Sequence, residues 1–383
     1  MNMNRKSFFL PALAATLLLG ISFSCSKSGG SPNSGGGGTT PTGKDSILTN
    51  IGNNIILPAY ASLNVAVNSL DSAIVDFNAG PSSIKLTAVQ SLFKTAYINW
   101  ESASEYDGFG PAYSNQPVMS GLNLFPTNTI SIESNITTGN NNVNAFANAS
   151  AKGFPALDYL LYGAGVNTLT AFATGAGATN RKAYLAAVSA DIKAEANAAL
   201  KGWQASGGNY IASFIDGTGN SVSSSLGLLL NSIVQDFEIG KNDRLGIPLG
   251  KQPPGQVLPV LPNEVEAYYS GISVQLALAQ LKAMQNLYLG IGTQGSGPGL
   301  KDYVIQKKIA YNGGLLNDAI QSNFASAVAG LQAIPDPFSA TIQTNAMPAN
   351  AVYATYQQLV VLLKTDMASG LGVLITFGDN DGD

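Results

Sequence analysis

The sequence has no histidine and only one cysteine, Cys25. Without imidazole, the usual general base, the commonest zinc ligand and the middle member of a Ser-His-Asp triad are all missing. Chemistry is left to carboxylate, lysine, tyrosine and hydroxyl groups. A carboxylate pair could still cleave glycosides, and oxygen ligands could hold a hard cation. Charge is also scarce, at 11% of residues. Beyond residue 24 there are 17 basic side chains against 23 acidic ones, a net charge of −6 with no basic patch. Nucleic acid is therefore not an expected partner. Strand signals are weak: there is no sustained alternation, and no β-branched runs flank an Asn-Gly turn.

The position of Cys25 turns attention to the N-terminus. Arg5 and Lys6 form a short positive region, Ser7 to Phe23 a mainly apolar one, and small residues lead into the cysteine. This run is short and broken for a membrane span, which needs about 20 apolar residues. Ile21-Ser22-Phe23-Ser24-Cys25 resembles a relaxed lipobox, so residues 1–24 read as a lipoprotein signal peptide with Cys25 as the lipidation site. Residues 25–44 read as a flexible Gly/Ser tether with no apolar residue to bury. The expected location is the cell envelope, on the periplasmic or surface face of the outer membrane. The membrane would be engaged by the lipid anchor alone.

The remaining chain is long for one core, so two domains are the prior. Apolar residues recur at helical steps in Ile47, Ile51 and Ile55, and again in Leu63, Val67, Leu70 and Ile74. Pro58 between them should kink or restart the helix. Further stripes run through Val89–Trp100, Leu185–Trp203, Leu226–Phe237, Glu264–Leu289, Tyr303–Ile309, Leu315–Leu331 and Ala351–Met367. Gly207-Gly208 interrupts the pattern. The expected fold is all-α, two four-helix-bundle-like halves in series, over 45–206 and 207–383.

Three segments are candidates for function. Trp100 to Pro111 crowds Glu101, Glu105, Tyr106 and Asp107 at a helix end. Either Glu105 points into a pocket beside Trp100, or this is a solvated helix end over a buried aromatic. In Gly153–Gly163, Pro155 suits a first helical turn, and Asp158 close behind it is favoured by the helix dipole. The Arg244–Gly255 loop feeds an aromatic-rich helix start carrying Glu266, Tyr269 and Ser270. It lacks the spacing of a phosphate loop. The terminal Asp379–Asp383 run opens like a calcium loop but has no closing glutamate, so a solvated tail is the better reading.

Together these blocks resemble the imelysin-like family. The resemblance is carried by Ile56-Leu57-Pro58-Ala59-Tyr60, Trp100…Glu105…Phe109-Gly110-Pro111 and Asn123-Leu124-Phe125-Pro126. It continues through Gly153…Asp158-Tyr159-Leu160-Leu161-Tyr162-Gly163 and Pro248-Leu249-Gly250…Glu266…Tyr269-Ser270. It implies two helical-bundle halves with a site near their interface, in a group first described as peptidases and linked in several members to iron uptake or metal binding. Its GxHxxE signature is degenerate here. Gly153 is kept, Pro155 stands at the histidine and Asp158 at the glutamate. Proline can neither ligate a metal nor transfer a proton, so no residue is assigned as catalytic.

The leading expectation is therefore a non-catalytic envelope protein. It would bind a hard cation, possibly iron-related, or a polar ligand through Glu105, Asp158 and Glu266. Trp100, Gly153, Pro155, Tyr269 and Ser270 would line the pocket. An envelope protein or an iron-uptake component is the expected protein partner. The alternatives are a metallopeptidase working through carboxylates and a structural module of the outer membrane.

Overall fold

The apolar stripes fold as helices. The computed structural model describes residues 43–112, 121–252 and 258–376. Cys25, the signal and tether segments and the Asp379–Asp383 tail lie outside the described residues. Helix α1 (Lys44–Asn50) passes through a π-helical turn, Ile51–Ile56, into α2 (Leu57–Ala79). Pro58 thus lies in the first turn of α2, and the irregularity it imposes falls just upstream. A proline ring would clash with the carbonyl four residues back, and a widened turn relieves that clash. The freed carbonyl, that of Asn54, accepts instead from the Thr293 N–H at 3.2 Å.

Helix α3 (Ser83–Glu101) begins at Ser82, whose hydroxyl accepts from the Lys85 N–H. Such a cap is worth roughly 1 kcal/mol. Its stripe of Val89, Phe93, Tyr97 and Trp100 is buried, at about 1.5–3 kcal/mol for each large apolar side chain. There follow α4 (Thr129–Thr138), α5 (Gly153–Tyr162) and α6 (Ala178–Trp203). After the Gly207-Gly208 break comes a short helix, Tyr210–Asp216. The chain then forms α7 (Ser225–Ile239), capped by Ser224, and continues into a second π turn, Gly240–Gly246. Helices α8 (Ser273–Leu289), α9 (Leu316–Gln332) and α10 (Met347–Val360) complete the main set, with a third π turn at Val361–Met367.

Helix α2 packs between α3 and α6, and α6 also covers α5. Helix α9 packs on α8 and α10, and α8 reaches across to α3. One continuous hydrophobic core therefore runs from Ile47 to Val373. No helix among the described residues is long and apolar enough to cross a membrane.

Two expectations need correction. The helix expected from Glu264 starts only at Ser273. Before it lie a single turn, Pro262–Glu264, and a loop with Ala267 at φ 50° and Gly271 at φ 65°. Tertiary partners of Glu266, Tyr269 and Ser270, described below, hold this stretch out of the helix. Helix α8 is capped from elsewhere, by Asp336 accepting from the Val274 and Gln275 N–H groups at 2.9 and 3.2 Å. Second, two small antiparallel hairpins occur, Ile291–Gly292 with Gly295–Ser296 and Ala310–Tyr311 with Gly314–Leu315. The latter turns on Asn312-Gly313, both at positive φ, as a two-residue hairpin requires. Its strands are too short and too poor in β-branched residues to announce it.

Candidate functional site

The entry to α5 is set by Gly153, which has φ 74°. A Cβ there would stand 2.3 Å from the Leu122 carbonyl oxygen, so only glycine lets the two backbones approach this closely. Pro155 follows in the first turn, where its missing N–H has no helical partner to lose. One turn on, Asp158 is almost wholly buried and spans to the loop before α8. Its Oδ2 accepts from the Tyr269 N–H at 2.8 Å, and its Oδ1 from the Ser270 N–H at 2.9 Å. Burial pushes this carboxyl up to about 6, while the hydrogen bonds from Ser270 and Tyr269 pull it down. Both oxygens are acceptors here, which suits the ionised form. Beside this clamp is a cavity of ≈220 Å³ lined by Phe125, Pro126, Pro155, Asp158, Tyr268 and Tyr269.

Behind this pocket is a cluster of buried acids around one guanidinium. Arg244, presented by the second π turn, donates from Nε to Glu266 Oε2 at 2.8 Å, and its Nη2 lies 2.6 Å from Glu101 Oε2. Glu266 Oε1 also accepts from Asn123 Nδ2 at 2.7 Å, with the Tyr97 hydroxyl 3.2 Å away. Asp236 accepts from Gln280 Nε2 at 2.6 Å. Glu105 is fully buried, and neither of its carboxyl oxygens has a hydrogen-bond partner.

The four carboxyls surround one guanidinium, so the cluster is short of positive charge. Glu266, with its set of donors, is the natural carrier of the negative charge. Burial pushes Glu101 well above the usual carboxylate range; Arg244 opposes this, while Glu266 and Asp236 reinforce it. Burial also raises Glu105, with Asp236 adding to the effect and Arg244 opposing it. Asp236 is raised by burial too, against Arg244, Gln280 and Ser104. An isolated buried carboxylate costs so much that protonation is the cheaper state.

The expected site residues therefore divide. Asp158, Pro155 and Tyr269 meet at the small cavity, and Ser270 contributes its backbone N–H. Gly153 shapes the approach without lining the cavity. Trp100 is buried against Phe154, ring centroids 6.4 Å apart. Glu105 and Glu266 belong to the Arg244 cluster, and the helix end carrying Glu101 and Glu105 is buried rather than solvated. Among the described residues no three Asp, Glu or Cys side chains are placed to hold a metal ion. The shared cation site expected from Glu105, Asp158 and Glu266 is thus not assembled, because each carboxylate has a different environment. Sequence reasoning missed Arg244, Asn123 and Asp236 as members of the cluster. One signal was available: arginine occurs only twice beyond residue 24, at positions 181 and 244.

The family model for imelysin (peptidase M75) matches residues 56–365. The chain belongs to the imelysin family. It is 22% identical over 320 residues to iron-regulated protein A of Synechococcus elongatus, covering 82% of this chain and 81% of that protein. Among solved structures, an imelysin-like protein from Psychrobacter arcticum aligns with TM-score 0.65 at 19% identity, covering 87% of this chain and 97% of that one. A Parabacteroides distasonis protein described as an iron-regulated protein A precursor aligns with TM-score 0.70 at 18% identity, covering 88% and 97%. At these identities the likeness establishes the helical imelysin fold.

Within that fold, the departure from GxHxxE has a local logic. Gly153 is kept because of the Leu122 carbonyl, and Asp158 serves as a receptor for two N–H groups. Pro155 gives its position an apolar wall.

Proposed function

We propose that this imelysin-family protein is a non-catalytic, lipid-anchored protein of the cell envelope that takes a small polar ligand at the Asp158 pocket. The observation that carries this reading is the state of Asp158. Its two oxygens are committed to the Tyr269 and Ser270 N–H groups, and the neighbouring wall position is proline. No group in that pocket is free to activate water, a role that calls for a base with a pKa near the working pH. Tyrosine rings and prolines around one carboxylate suit selective binding, with a few polar groups fixing orientation in an apolar pocket. Similarity to proteins named for iron regulation supports a place among iron-responsive envelope proteins. The Ile21–Cys25 lipobox supports the anchor.

The test is hydrolysis of casein and unfolded insulin chains, with zinc, calcium and iron supplied in turn. The expected result is no cleavage under any condition. Metal-dependent cleavage that disappears in Asp158→Asn overturns the proposal in favour of a carboxylate peptidase. For the anchor, Cys25→Ser should move the protein from the membrane fraction to the soluble one. Retention of that variant after a salt wash refutes lipidation.

A further inference from the structure

A second cleft, of ≈450 Å³, opens where the start of α2, the end of α3, α8 and the Ile291–Ser296 hairpin meet. It is separate from the Asp158 pocket and shares no lining residue with it. In a protein rich in acid, this cleft has no aspartate or glutamate on its wall. Its one charged lining residue is Lys282, which is exposed and makes no ion pair with the described residues.

The neutral polar groups are polarised in one sense. Asn54 donates its amide to Asn50 Oδ1 at 2.7 Å, and Asn99 donates its amide to the Thr95 carbonyl at 2.9 Å. Both side chains thus have their donors engaged and a carbonyl oxygen left over. The Tyr106 hydroxyl, buried where the ring closes the cleft, has no hydrogen-bond partner. Ile55 and Ile291 supply aliphatic wall. A complementary ligand carries one anionic group, N–H donors and an aliphatic body. The volume falls within the range of small-molecule sites, about 300–1,000 Å³.

We propose that this cleft binds a short peptide, with its C-terminal carboxylate at Lys282 and its backbone N–H groups at the side-chain oxygens of Asn54 and Asn99. The carboxylate–ammonium contact is a charge-assisted pair at the cleft mouth. The amide oxygens then act as a backbone reader that is indifferent to side chains, while the aliphatic wall favours small apolar residues.

The probes are a panel of N-acetylated apolar tripeptides, each as the free acid and as the C-terminal amide, with chitotriose as a carbohydrate control. Affinities are measured by calorimetry on the full folded body. The acids should bind about tenfold more tightly than the amides, the worth of one charged hydrogen bond. Lys282→Gln, an exposed change that circular dichroism should show to be folded, should bring the acids down to the level of the amides and leave the amides unchanged. Absence of acid binding, equal affinities of acid and amide, or preferential binding of chitotriose overturns the proposal. None of these results bears on the Asp158 pocket.

Discussion

Glu105 offers the sharpest quantitative test of the structure. In the unfolded chain a glutamate titrates near about 4.3. In the fold its carboxyl is fully buried, both oxygens lack a donor, and burial with the nearby Asp236 holds the titration well above the usual range. Above pH ~4.3 the folded protein therefore keeps a proton that the unfolded chain releases. Stability then falls with rising pH, because the unfolded state binds fewer protons than the native one. The loss is about 1.4 kcal/mol for each pH unit while the folded carboxyl stays protonated. It stops growing once pH passes the folded titration. Glu105→Gln keeps the shape and removes the proton equilibrium. Urea denaturation followed by fluorescence of the two buried tryptophans, Trp100 and Trp203, would give both stabilities at several pH values. Between pH 5 and pH 7 the variant should gain roughly 2–3 kcal/mol relative to the wild type. Parallel stability curves for the two proteins would refute the claim that Glu105 is held as a neutral acid.

Two further substitutions probe the neighbouring geometry. Arg244→Met leaves Glu101 and Glu266 buried without their cation and should cost about 3–5 kcal/mol in denaturant unfolding; a loss under about 1 kcal/mol would mean that the cluster does not depend on this ion pair. Gly153→Ala must adopt a left-handed backbone with its Cβ against the Leu122 carbonyl, so it should destabilise by at least about 1–3 kcal/mol. An unchanged melting temperature would contradict the close approach of these two backbones.

The helices were legible because their stripes obey one rule, apolar residues at steps of three and four over long runs. The family was legible from short blocks in a fixed order. The interior of the candidate site was less so. Acidic residues are usually exposed, and Glu101 and Glu105 give no local sign that they are not. Their burial follows from Arg244, far along the chain, which local reading passes over as the first residue of a loop. Glu264 to Ile272 misled in the opposite way. Its apolar spacing is helical, yet Asp158 captures two of its N–H groups and Arg244 captures Glu266, so long-range bonds override local periodicity. The Asp158 pocket was read correctly in the residues that line it. The three-carboxylate site was not, because spacing along a sequence does not reveal which acids already have partners.

The π turn at Gly240–Gly246 carries a consequence for how this protein tolerates change in length. A π turn holds one residue more than the α-helical ladder needs. Removing a single residue between Gly240 and Gly246 would let the ladder close normally, but every side chain after the cut would rotate by about 100° around the helix axis. Arg244 would swing away from Glu101 and Glu266, and the acids would lose their cation without any change in residue type. Surface loops commonly absorb insertions and deletions. Here one stretch of helix behaves as a ratchet with a single permitted notch.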